Sequence, residues 1–265
     1  MRSHCDHRQF GVGSFQPADH SAGCISPDKL RPVAGSGPFF APVIDGRVVT
    51  DSVLHNLALG HFSDVPMIVG QNSDEIVSIA APSDLASADE YDRFFKDRYG
   101  DMADAFKSHF PATDDASRGA ALRRARLSNG LASIWQWENV RAEHARSPAY
   151  VYLFTHREPG PLSNQWKVFH SSEITYAFGT LDAAPERKFS EQDRKISREM
   201  SDYWVNFVKF GNPDGRDDKP WKPYSAKDPK MMEIGDQSGM RQPIDPALLD
   251  VYASFLAKGG RINMF

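Results

Sequence analysis

The sequence has 265 residues, 40% hydrophobic and 25% charged, the proportions of a folded globular chain and not of a disordered or fibrous one. Its formal net charge of −4, from 31 basic and 35 acidic residues spread along the chain, gives no electrostatic reason to expect nucleic acid or an anionic membrane surface as partner; small neutral molecules suit it better. No apolar run approaches the roughly 20 residues that cross a bilayer, and the polar start Met1 to Phe10 lacks the apolar core of a secretory leader, so the chain as written is expected in the cytosol, although a longer parent could be secreted.

Residues 1 to 37 mix Gly, Ser, Pro and His without apolar periodicity and read as an irregular lead-in. Its two cysteines, Cys5 and Cys24, are too few for a disulfide scaffold. His4-Cys5-Asp6-His7 carries metal-type donors, but too few to close a site on an irregular terminus, so no metal is expected. Structure is expected from about residue 38 to residue 265. Phe39 to Ile44, a turn at Asp45-Gly46 and a short strand at Arg47 to Thr50 resemble a hairpin. Val65 to Gly70 is a compact apolar run of the kind buried on both faces of a parallel sheet, followed by the polar loop Gln71 to Glu75.

From about Ser87 to Arg146 the composition turns helical, with one apolar stripe at Leu127, Leu131, Ile134, Trp135 and Glu138 to Val140. Ala149 to His156, β-branched and aromatic, is too short for a helix and predicts a second buried strand. Ser190 with Asp193 predicts a helix N-terminus. Ile196, Met200, Tyr203, Trp204 and Phe207 then form a core-facing stripe, closed by Gly211 and Pro213. A last short strand is expected at Lys230 to Ile234 and a last helix at Leu248 to Lys258. The class is α/β.

Two polar loops follow predicted strands, and in open α/β sheets catalytic groups gather at the strands' carboxyl ends. One is Asn72-Ser73-Asp74-Glu75; the other, Val168 to Ile174, contains His170. Alone, an acidic loop is an ordinary solvated turn and a histidine beside aromatics an ordinary packed residue. Their order raises both, because an acid preceding a histidine is the chain order of the α/β-hydrolase triad. The acid accepts a hydrogen bond from one ring nitrogen and fixes the tautomer, while the other nitrogen takes the nucleophile's proton.

Here the sequence resembles the type-B carboxylesterases, a family of esterases, cholinesterases and non-catalytic adhesion relatives. Gly70-Gln71-Asn72-Ser73-Asp74-Glu75 is similar to the family's G-x-N-x-D-E-G acid loop, with Ile76 where the last glycine usually stands, and the resemblance makes Glu75 the acid. His170-Ser171-Ser172-Glu173, followed by Tyr176 and Phe178-Gly179, resembles the H-x-x-E segment and makes His170 the general base. Phe40 to Gly46 and Trp204 to Pro213 resemble two further landmarks in the right order.

The resemblance implies the C-terminal part of an α/β-hydrolase fold, with a helical insertion between the last sheet strands and the early strands missing. No serine has glycines two residues to either side, as the nucleophile elbow requires, and no H-G-G-G-type oxyanion run is present. Ser21, in Asp19-His20-Ser21-Ala22-Gly23, comes nearest, without the first glycine or a preceding strand. The implied function is hydrolysis of a small carboxylic ester through an acyl-serine, without cofactor, the chain itself being an inactive fragment. The alternative is a non-catalytic binding protein on the same scaffold. Strands deprived of neighbours leave an open edge, from which self-association is expected.

Overall fold

The computed structural model describes residues 43–75, 84–214 and 220–262. The readings for residues 1 to 37, with Ser21, Cys5, Cys24 and His4 to His7, lie outside these, as do Phe39 to Pro42 and Ile76. A first unit of the chain ends at Ser52 and a second begins at Val53.

In the first unit the expected turn at Asp45-Gly46 is present, with Gly46 in the left-handed region at φ 69°. The expected strand at Arg47 to Thr50 is not: these residues bend back on the turn. The cause is Asp45, whose Oδ1 accepts from the amides of Arg47, Val48 and Val49 at 2.9, 2.8 and 3.0 Å. A short carboxylate offering itself to successive amides competes with a strand ladder, and those amides hold the Asp45 carboxyl below its ordinary value.

The second unit is built on a four-stranded sheet in the order β1-β2-β3-β4: β1 Met67–Asn72, β2 Ala149–Phe154, β3 Met231–Ile234 and β4 Gly239–Arg241. The first two pairings are parallel and the last is antiparallel. After the short α1 (Val53–Ala58), helices α2 (Ala88–Tyr99), α3 (Ala103–Lys107) and α4 (Asp115–Arg141) lie between β1 and β2. Two one-turn helices, α5 (Ser163–Trp166) and α6 (Ile174–Ala177), and the long α7 (Glu191–Phe210) lie between β2 and β3, and α8 (Pro246–Ala257) follows β4.

The period of two along β2 divides the core. Val151 and Leu153, with Met231, pack with α2, α4 and α8, while Tyr150 and Phe154, with Met232 and Ile234, pack with α7 and Tyr176. Helices therefore cover both faces of the sheet. The α7 stripe enters the second cluster as its spacing demands, with Ile196, Met200 and Tyr203 buried and Trp204 and Phe207 packed beside them. Ser190 and Asp193 form its capping box, and Gly211 closes it at φ 68°. By contrast α4 is no single-striped helix: Asn129 to Ile134 are six consecutive buried residues, because the helix lies between the sheet and α2.

β1 also departs from expectation. It begins at Met67, not Val65, which is exposed, and runs through Gln71 and Asn72. Met67 to Gly70 are only half-buried, as befits the edge position of β1 among the described strands. Its start is tied down by Arg141. That guanidinium donates to the carbonyls of Val65 and Ser147 at 3.2 and 2.9 Å and pairs with buried Glu138 at 3.4 Å, so the entries to β1 and β2 meet at one side chain.

Candidate active site

At the carboxyl end of β1 the chain turns through Ser73, Asp74 and Glu75. The Ser73 amide donates to the carbonyl of Phe154, the last residue of β2, and the Asp74 amide to that of Val168, both at 3.0 Å. These two bonds carry the acid loop across the end of β2 and onto the loop that holds His170.

Glu75 Oε2 lies 2.6 Å from His170 Nδ1, and Glu75 Oε1 accepts the Asn72 amide at 2.8 Å. A carboxylate only accepts, so Nδ1 carries the proton in this pair and Nε2 presents its lone pair. The imidazole is 51% exposed and the carboxylate 20%, so Nε2, which has no partner among the described residues, is open to an incoming group while the acid is largely shielded. The arrangement is that of an oriented general base.

Three features hold it. Asn72, fully buried, donates its side-chain amide to the Phe169 carbonyl at 2.8 Å and also to Glu173. Lys167 donates to Asp84 at 2.5 Å, and Arg123 of α4 reaches the same oxygen at 2.6 Å, which anchors the approach to His170 on that helix; the Lys167 ammonium holds the Asp84 carboxyl below its ordinary value. Beneath them, the Tyr152 ring lies against Gly70, where a larger side chain would collide with it. Burial pushes the Tyr152 phenol well above its ordinary value, and the neighbouring Glu173 and Glu75 carboxylates add to the shift.

The histidine turn is strained. Ser171 and Lys167 have φ of 74° and 55°, in the left-handed region, which costs a non-glycine residue about 1–2 kcal/mol. Such strain persists only where surrounding contacts over-determine it.

A second histidine, His156, is buried and provides the contrast. His156 Nδ1 lies 2.7 Å from Asp236 and its Nε2 2.8 Å from Asp193, which also accepts from Tyr176 at 2.7 Å. With both ring nitrogens engaged, His156 has no lone pair to offer; it ties β2 to α7 and to the turn between β3 and β4. The sequence separated the two histidines only through the H-x-x-E segment and the order after the acid, which single out His170; the buried ties of His156 were not legible in it. Asn72 and Gln71 were read as loop because they are polar, yet both are buried on β1; Gln71 donates to the Leu127 carbonyl at 3.1 Å and packs against Gly130.

A family model described as the carboxylesterase family matches residues 32–250, a span containing Glu75, Asn72 and His170. The chain belongs to the carboxylesterase family. Its mixed sheet with helices on both faces agrees with the α/β-hydrolase fold. The chain is similar to fumonisin B1 esterase of Sphingopyxis macrogoltabida, 29% identical over 75% of this chain and 37% of the relative. It is equally similar to acetylcholinesterase of Bungarus fasciatus, 29% identical over 77% of this chain and 37% of the relative. Human neuroligin-3 is 28% identical over 74% of this chain and 28% of the relative. The chain thus spans about a third of the length of these relatives.

Proposed function

We propose that Glu75 and His170 are the acid and base of a serine-dependent carboxylic ester hydrolase. The observation that carries this reading is the Glu75–His170 bond, which leaves Nε2 open. In the proposed reaction His170 Nε2 removes the proton from a serine hydroxyl as its oxygen attacks the ester carbonyl. Glu75 stabilises the imidazolium, and the same proton passes to the departing alcohol; water then enters by the same route to release the acid. In this reading the serine and the oxyanion donors are supplied by a segment other than these 265 residues, because no serine of the sequence has both flanking glycines and no glycine-rich oxyanion run is present. Without them the 265-residue chain has little activity of its own, since loss of even one oxyanion donor costs a comparable hydrolase on the order of 10²–10³ in kcat.

The similarity to fumonisin B1 esterase and acetylcholinesterase supports an ester as substrate; the similarity to neuroligin-3 keeps a binding role on the same scaffold as the second reading. An oriented acid–histidine pair has no use in a binding surface and favours the first. The direct test is turnover of a short-chain aryl ester by the purified chain. Background rates are expected. Robust turnover lost on Ser21→Ala would overturn the assignment of the nucleophile to another segment.

A further inference from the structure

We infer that Asn72 is the positioning residue that holds His170 in register with Glu75, an inference that rests on the acid–histidine reading above. Asn72 grips both partners. Its main-chain amide donates to Glu75 Oε1 at 2.8 Å, while its side-chain amide donates to the carbonyl of Phe169, immediately before His170, at 2.8 Å, and to the carboxylate of Glu173, three residues after it. Ser172 Oγ, at 3.4 Å, lies at the limit of the same group's reach. The side-chain NH2 has two hydrogens, and the Phe169 carbonyl and the Glu173 carboxylate use both.

The orientation of this amide is fixed by chemistry. Turning it over would set Oδ1 against a carbonyl and a carboxylate, neither of which can donate. In the present orientation Oδ1 is buried with no partner among the described residues. A buried amide that leaves its own acceptor unsatisfied to keep two donors on the histidine loop is held for those donors. The loop needs the hold: Ser171, next to His170, is a non-glycine residue at φ 74° and relaxes when released. Relaxation there rotates the peptide that carries His170 and takes Nδ1 away from Glu75.

The signature is the low-field Nδ1–H resonance of His170 in the 15N-histidine-labelled full chain, recorded in solution or on sedimented protein and assigned by its loss in His170→Gln. It is expected in the unmodified chain, abolished by Glu75→Gln, and lost or reduced at least fivefold by Asn72→Asp, which keeps the shape and the main-chain bond but replaces both side-chain donors by a charge. Ser171→Gly alone leaves the signal unchanged, and combined with Asn72→Asp it restores at least half of it, because the turn no longer resists its conformation. A general packing role for Asn72 does not give that rescue. If Asn72→Asp fails to fold, Asn72→Ser removes the grip without adding charge and is read in the same way. Absence of the resonance from the unmodified chain, or its survival in Glu75→Gln, defeats the acid–histidine reading itself. Its presence there, with an unchanged signal in the folded Asn72 variant, overturns the Asn72 assignment alone.

Discussion

Glu75 and His170 are 95 residues apart in the chain and 2.6 Å apart in space. What brings them together is the pairing of β1 with β2. Parallel register sets Asn72 beside Phe154, so that the loop leaving β1 crosses the end of β2 and meets the returning segment before α6. The chemistry of the site therefore depends on the position of β1, an edge strand among the described strands.

Arg141 joins the entries to β1 and β2, and it is the partner of Glu138; their side chains are 7% and 6% exposed. Burial raises the Glu138 carboxyl above its ordinary value even with Arg141 beside it. Replacing Arg141 by Ala strands that acid and frees the carbonyls of Val65 and Ser147, for an expected loss of about 3–5 kcal/mol. Urea unfolding monitored by tryptophan fluorescence measures it. A loss below about 1 kcal/mol would show that β1 is held in register by other means.

Asp193 gives the fold an acid-sensitive point. Burial opposes its ionisation, but hydrogen bonds from Ser190, Tyr176 and His156 outweigh burial and hold the carboxyl below its ordinary value. A depressed carboxyl stabilises the folded state fully above the unfolded value, near 3.8, and loses that contribution as pH falls through the lower folded value. The thermal midpoint should therefore fall with pH below about 4, and Asp193→Asn should flatten that part of the profile while lowering the midpoint at neutral pH. An unchanged acid limb in the variant would remove Asp193 from the account.

How far the sequence disclosed this architecture depended on whether polarity and burial agreed. β2 and α7 were legible because their apolar residues face the core at the spacing each element requires. The acid and the histidine were legible through motif and order. Gln71 and Asn72 were not, since a buried amide is indistinguishable from a loop residue until its partners, the carbonyls of Leu127 and Phe169, are known. The strand expected at Arg47 to Thr50 failed for a related reason: its apolar residues fit a strand, but the Asp45 carboxylate captured their amides first.

Among the described residues β1 has one unpaired edge, and the last turn of α7 exposes Val208 and Phe210 at 82% and 74%. The chain is expected to self-associate at micromolar concentration, and Val208→Lys with Phe210→Lys to reduce it, since both residues lie outside the core. Size-exclusion chromatography coupled to light scattering measures this. A monodisperse monomer with one cooperative thermal transition would contradict the expectation.

The central claim is that His170, oriented by Glu75, is the base of an ester hydrolase. Its most direct test is a chimera in which a family esterase supplies the upstream G-x-S-x-G elbow and glycine-rich oxyanion segment to this chain, assayed on a short-chain aryl ester. The account predicts hydrolysis by the chimera and a fall in kcat on the order of 10⁴-fold or more with His170→Ala, the chimera remaining folded by circular dichroism. Equal rates with and without His170, in a chimera that turns over, would contradict it.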